Sequence, residues 1–193
     1  MNVRAIISLK RPSEAKSRLA GVMSDEERLG LALAMAAHVI AVARAAVDQV
    51  FLMTPEPIAA FADLPTLLDP ADGLNASLDL ATRWLPAQAD DTLVVLHADL
   101  AVLEPADVAA LVDATARGVV IAPDRYGAGV NAIAYRQPLD LAFRFGPGSR
   151  LAFEAEAVRL GRSAILLERP GFALDIDDAE SLALYRQRLA AVG

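Results

Sequence analysis

Short apolar runs alternate along this chain with longer stretches whose apolar positions recur at helical spacing. "VRAIISL" (3–9) predicts a buried first strand, followed by the polar, basic loop "KRPSEAKSR" (10–18). "SDEERLGLALAMAAHVIAVARAA" (24–46) predicts one long helix, with Ser24 and Glu27 spaced as a capping box. Strands are predicted over "QVFLMT" (49–54) and "TLLD" (66–69), then a helix entered through glycine over "GLNASLDLATRWL" (73–85). "DTLVVLHADL" (91–100) predicts a strongly apolar strand that ends in an acid. "EPADVAALVDATA" (104–116) predicts a helix with Pro105 in its first turn. Two strands follow, "GVVIAPD" (118–124) and "NAIAYR" (131–136), then the helix "SRLAFEAEAVRLG" (149–161), closed by Gly161. "AILL" (164–167) and "GFALDI" (171–176) predict late strands, and "DAESLALYRQRL" (178–189) a final helix.

Short apolar strands separated by helices predict an α/β fold with a mostly parallel sheet. No repeat, linker or low-complexity tract divides the chain, so residues 1–193 are expected to form one domain. The net charge of −7 argues against general affinity for nucleic acid or an anionic membrane. The absence of cysteine excludes disulfides, thiolate chemistry and cysteine metal sites. No run reaches membrane-spanning length without a charge, and the first apolar run is too short for a secretory signal. A cytoplasmic protein is expected. The apolar helix around 28–46 suits a core or an interface between copies, which leaves a homo-oligomer open.

In such sheets ligands bind beyond the carboxyl ends of the strands. The loop after the first strand carries Lys10, Arg11, Lys16 and Arg18; Lys10 and Lys16 are the only lysines of the chain. A lysine is a compact, mobile point charge suited to phosphate, so this loop is a candidate anion site rather than only a solvated basic segment. It lacks the glycines of a Walker loop. Asp99 ends an apolar strand several residues before the next helix, which favours a ligand over a cap. In "FALDIDDAESL" (172–182), Asp175 and Asp177 lie two apart and share a face if the segment is extended, while Asp178 is placed to cap the last helix. Three oxygen donors, Asp99, Asp175 and Asp177, suit Mg²⁺. Gly146, Gly148 and Ser149 lead into a helix, flanked by Arg144 and Arg150, and offer backbone N–H groups to a phosphate. Gly127, Gly129 and Asn131 form a glycine-bearing turn, and Gly73 with Asn75 could meet a base or ribose. Each of these also has an ordinary structural reading as a turn or cap. His97 reads as a packed residue.

Taken together, "AKSRL" (15–19), "GLNASL" (73–78), "ADL" (98–100), "APDRYGAGVNAI" (122–133), "FGPGS" (145–149) and "LDIDDAESL" (174–182) resemble the 2-phospho-L-lactate guanylyltransferases of coenzyme F-420 biosynthesis (the CofC/FbiD family). The resemblance spans nearly the whole chain. It implies a three-layer nucleotidyltransferase fold of the glycosyltransferase-A-like type, with a mixed, mostly parallel sheet and helices on both faces. It implies transfer of GMP from GTP to a small phosphorylated acid, releasing pyrophosphate. By the resemblance, Asp99, Asp175 and Asp177 hold Mg²⁺, the loop lysines Lys10 and Lys16 face the triphosphate, and Gly73 and Asn75 lie on the nucleotide side; Arg18 adds positive charge for the approach of the two anions. Val130, Asn131, Gly146, Ser149 and Arg150 then lie on the acceptor side. The acceptor's phosphate is ionised at neutral pH, so charge neutralisation is needed and a general base is not.

This chain departs from the family's pattern at Ser8, at "HADLA" (97–101), at Val130, where a threonine is usual, and at Arg150. These changes leave the three acids in place. 2-Phospholactate, phosphoenolpyruvate and 3-phosphoglycerate all remain candidate acceptors. Two other readings stay open: a related nucleotidyltransferase with another acceptor, such as a sugar phosphate or molybdopterin, and a nucleotide-binding domain without catalysis.

Overall fold

Strands rich in Val, Ile, Leu and Ala build a single sheet in this computed structural model, which describes residues 2–11, 14, 16–68, 73–85 and 88–190. The strands are β1 (Val3–Ser8), β2 (Gln49–Thr54), β3 (Thr66–Leu68), β4 (Thr92–His97), β5 (Val119–Pro123), β6 (Val130–Arg136) and β7 (Ala164–Leu166). Their order across the sheet is β3-β2-β1-β4-β6-β5-β7. All neighbours run parallel except β6, which is antiparallel to both β4 and β5. A glycine-bearing turn links β5 to β6, so β6 begins where β4 and β5 end. Val130 and Asn131 therefore stand at the carboxyl edge of the central strands.

The helices are α1 (Asp25–Arg44), α2 (Leu74–Trp84), α3 (Pro105–Ala114), α4 (Ser149–Arg159), the short α5 (Pro170–Ala173) and α6 (Ala179–Ala190). Alternation along β1 divides the core. Ala5 and Ile7 face one cluster with Ala36, Val39 and Ile40 of α1 and Val108 and Leu111 of α3. Ile6 faces the other, with Leu78 and Ala81 of α2 and Phe153 and Ala157 of α4. Both faces are thus covered, giving the three layers expected. The apolar stretch of α1 is spent on this core.

The Ser24–Glu27 capping box forms as spaced, with Glu27 Oε2 accepting from the Ser24 N–H at 2.7 Å. Glu104, not Asp99, caps α3, with Pro105 in its first turn. One expected strand is not formed: within "GFALDI", residues 171–173 belong to α5, and Asp175 makes only an isolated bridge to Leu100. Pro170 opens the helical turn, where its missing N–H costs nothing. Ala15 of the "AKSRL" match, Pro12 and Ser13 of the basic loop, Asp69 of the third predicted strand and Pro70–Asp72 lie outside the described residues.

Candidate active site

The central strands β1 and β4 run parallel, with Ser8 and His97 opposite each other at their carboxyl ends. Asp99 follows β4 by two residues. The bridge between Leu100 and Asp175 draws the 175–178 segment against it. Asp178 caps α6, accepting from the Ser181 N–H at 2.8 Å. Ser181 Oγ in turn accepts from the N–H groups of Asp177 and Asp178, at 3.0 Å each. That local ring sets the backbone of Asp177, and Asp178 serves as the cap that its spacing predicts.

Lys16 reaches the acids from the other side. It precedes a single turn, Ser17–Leu19, pinned by the fully buried Leu19 against Met35 of α1, Ile176 and Leu182. Its backbone is left-handed, at φ 59° and ψ 32°. For a residue with a Cβ this costs on the order of 1 kcal/mol. Lys16 Nζ donates to Asp99 Oδ2 at 2.6 Å and to Asp177 Oδ1 at 2.8 Å, and its side chain is 6% exposed. Burial alone would lower the ammonium's pKa, but the two carboxylates outweigh it and hold it above the usual lysine value. Burial likewise opposes ionisation of Asp99, and Lys16 overrides it, leaving that carboxyl below its usual range.

Among the described residues no cation forms an ion pair with Asp175. Burial first, then the charge of Asp99, pushes its carboxyl up, against the hydrogen bond that it accepts from Asn131. Asn131 Nδ2 donates to Asp175 Oδ1 at 3.2 Å and to the Phe172 carbonyl at 2.8 Å. The Asn131 amide, expected at the acceptor, is thus committed to holding Asp175. Val130, expected beside it, points to the opposite face and packs in the α2/α4 core at 3% exposure. Strand alternation sends adjacent side chains to opposite faces, so both cannot line one pocket.

The remaining predicted residues surround this centre. Lys10 and Arg18 are exposed at its rim; Lys10 acts electrostatically on His97 and Arg18 on Asp178. Gly73 begins α2 at φ 95° with open space where a Cβ would stand. Asn75 exchanges two hydrogen bonds with the Phe145 backbone, at 2.8 and 3.0 Å, so it ties α2 to the "FGPGS" loop. Gly146 (φ 131°) and Gly148 (φ 70°) shape that loop, and Ser149 is the first residue of α4. The Arg150 guanidinium is engaged by the Gly127 carbonyl and by Glu154, and its N–H by the Ala128 carbonyl at 3.2 Å. Arg150 therefore joins the two glycine-bearing loops. In the second, Asp124 accepts from the N–H groups of Tyr126, Ala128 and Gly129.

Buried polar atoms without partners mark where a ligand would be welcomed. Of the seven such atoms among the described residues, Asp99 Oδ1, His97 Nε2, Ser149 Oγ and Thr54 Oγ1 lie on residues at or beyond strand carboxyl ends or at the start of α4, while Arg28 Nε, Thr92 Oγ1 and Arg125 Nη1 lie elsewhere. His97 was not expected here. Its ring lies 4.9 Å from that of Phe145, facing Asp99 and Asp175; burial first lowers its pKa, against the pull of those two acids. No sequence signal separates such a histidine from a packed one. As they stand, no three carboxylates or imidazoles among the described residues converge to hold a metal, and the Lys16 ammonium lies between Asp99 and Asp177. The arrangement concentrates acids, buried cation and helix N-terminus at one sheet edge, which suits a reaction between anions.

Comparison with known proteins places the fold and the family. A phosphoenolpyruvate guanylyltransferase of Chloroflexus aggregans is 40% identical over 190 residues, covering 93% of this chain and 94% of the relative. One from Rubrobacter xylanophilus is 38% identical over 202 residues, covering 100% of this chain and 96% of the relative. Among solved structures, a nucleotidyl transferase from Methanothermobacter thermautotroptrophicus shares the fold at a TM-score of 0.69, with 19% identity, covering 100% of this chain and 99% of that one. Rv0371C of Mycobacterium tuberculosis H37Rv, solved in complex with manganese, shares it at 0.61, with 15% identity, covering 97% of this chain and 98% of that one. The family described as "Guanylyl transferase CofC like" matches residues 3–185, and this chain belongs to it.

Proposed function

We propose that residues 1–193 form one catalytic unit that transfers GMP from GTP to phosphoenolpyruvate, in the cytoplasm and as a step toward coenzyme F-420. Near-full-length similarity to phosphoenolpyruvate guanylyltransferases carries the choice of nucleotide and acceptor. An oxygen of the acceptor's phosphate attacks the α-phosphorus of GTP. The bond from that phosphorus to the bridging oxygen breaks, and pyrophosphate leaves with its electron pair. The attacking oxygen is already ionised, so no proton has to be removed.

The residues suit that task. Lys10, Lys16 and Arg18 supply positive charge for the triphosphate. Gly73 leaves room for close approach of the nucleotide. The buried, unpartnered Ser149 Oγ and the first N–H groups of α4 suit the acceptor's phosphate. The acid cluster fits a hard divalent cation in donor type: every donor is a carboxylate oxygen, Asp99 Oδ1 is buried without a partner, and Asp175 forms no ion pair among the described residues. Mg²⁺ held by Asp99, Asp175 and Asp177 would supply charge neutralisation between the two reacting anions. The described residues contain no helix long and apolar enough to cross a membrane.

The test is pyrophosphate release with GTP and Mg²⁺, offering phosphoenolpyruvate, 2-phospholactate and 3-phosphoglycerate separately. Release with phosphoenolpyruvate, and far less when ATP replaces GTP, is expected. Silence with all three acids would overturn the proposal, and preference for another of them would correct the acceptor.

A further inference from the structure

The position of Lys16 bears on how the metal arrives. Its ammonium sits between Asp99 Oδ2 and Asp177 Oδ1, at 2.6 and 2.8 Å. A Mg²⁺ ion binds carboxylate oxygens at about 2.0–2.1 Å, so the ammonium and the ion cannot share this gap. Two positive groups there would also repel. What holds the buried lysine side chain is its two ion pairs, and the chain that follows lies at the surface. The Lys16 backbone is left-handed, and the neighbours Ser17, Arg18 and Ala20 are exposed. The anchor of the segment is Leu19, three residues further along the chain. A lysine stem has several free torsions and can carry its charge a few ångströms without moving the backbone.

We propose that Lys16 is the resident counter-ion of Asp99 and Asp177, displaced onto the triphosphate when nucleotide binds, so that the divalent cation binds tightly only together with the nucleotide. This rests on the reading of the acids as metal ligands given above. In the absence of nucleotide the ammonium offsets one of the two carboxylate charges and fills the gap that a metal would take. The incoming triphosphate offers Lys16 a second anionic partner, and the acids are freed for the cation that accompanies it. Metal and nucleotide then favour each other's binding by the same factor, as linkage requires. If Lys16 holds the acids in about nine molecules of ten, it weakens metal binding without nucleotide about tenfold.

Mn²⁺ serves as the probe, followed by loss of the free-ion electron paramagnetic resonance signal. Wild type and Lys16→Met are titrated with and without a non-hydrolysable GTP analogue. Wild type should bind Mn²⁺ weakly alone and at least about tenfold more tightly with the analogue. Lys16→Met should bind Mn²⁺ more tightly than wild type without nucleotide and gain less from the analogue. Equal affinity in wild type with and without the analogue, or Mn²⁺ binding by Lys16→Met without nucleotide no tighter than that of wild type, would overturn the proposal.

A second readout needs no variant. Lys10 and Lys16 are the only lysines, so ¹⁵N-lysine labelling gives an ammonium spectrum of two signals. The buried Lys16 ammonium should be visible in the metal-free protein and should shift on saturation with Mg²⁺ and the analogue. An unchanged Lys16 signal would overturn the proposal even if Lys16→Met fails to fold. Neither readout depends on turnover: guanylyl transfer without this metal–nucleotide linkage refutes the role of Lys16 alone. Linkage without transfer refutes the acceptor reading alone.

Discussion

Replacing Asn131 with alanine should expose how the site holds its third acid. Asn131 is 4% exposed and spends its amide on the Phe172 carbonyl at 2.8 Å and on Asp175 Oδ1 at 3.2 Å. Leaving the Phe172 carbonyl unpaired costs about 1–3 kcal/mol, and losing the longer bond to Asp175 about 1 kcal/mol more when that carboxyl is ionised. The expected loss at neutral pH is therefore about 2–4 kcal/mol. The sign of its pH dependence follows from Asp175, whose pKa is raised in the folded state by burial and by Asp99. Its contribution is most favourable below the unfolded value and falls as pH rises through the folded one. Asn131 softens that fall by donating to the ionised form. The variant should thus lose more stability at neutral pH than at a pH below the ordinary aspartate value, where only the Phe172 bond is missing. Urea unfolding at both pH values, with a chelator present, measures this. A loss below about 0.5 kcal/mol at both, or a larger loss in acid, would refute the assignment of Asn131 as the support of Asp175.

Other expectations follow from the same structure. Glu156, buried in α4, has its pKa drawn down to about 2 chiefly by Arg159. A depressed carboxyl stabilises above its unfolded value near 4.5 and loses that contribution as pH falls toward 2. Because Arg159 is 55% exposed and screened, Glu156→Gln should cost only about 1–2 kcal/mol at neutral pH and flatten acid unfolding across that window. Leu19→Ala should cost about 2–5 kcal/mol from the cavity, and should broaden the Lys16 ammonium signal by loosening its turn. Ser149→Ala should raise the acceptor KM several-fold with little change in that for GTP; an equal rise in both would remove Ser149 from the acceptor side.

The elements of the sheet were readable because each local cue agreed with the fold. The capping box at Ser24, Pro105 at the start of α3 and the cap at Asp178 all form as their spacing suggests. "GFALDI" misled because a short apolar run does not distinguish a strand from a buried turn, and Pro170 starts the helical turn there. Val130 and Asn131 were both placed at the acceptor, although alternation in a strand allows one at most to face a given pocket. The two lysines marked their loop by composition, but the pairing of Lys16 with Asp99 and Asp177 spans 83 and 161 residues and has no local trace. Asn75 and Arg150, candidate binding residues by sequence, also join loops through their side chains, and contacts of that kind have no local trace in the sequence.

In the proposed reaction GMP passes to a phosphorylated acid at the Asp99–Asp175–Asp177 edge. GTP labelled at the α-phosphorus, incubated with phosphoenolpyruvate and Mg²⁺, follows that transfer atom by atom. The label should appear in a product containing both the nucleotide and the acid, with unlabelled pyrophosphate in equal amount, and Asp99→Asn should abolish it. Label remaining in GTP, or released as free GMP or GDP with no joint product, would contradict the account.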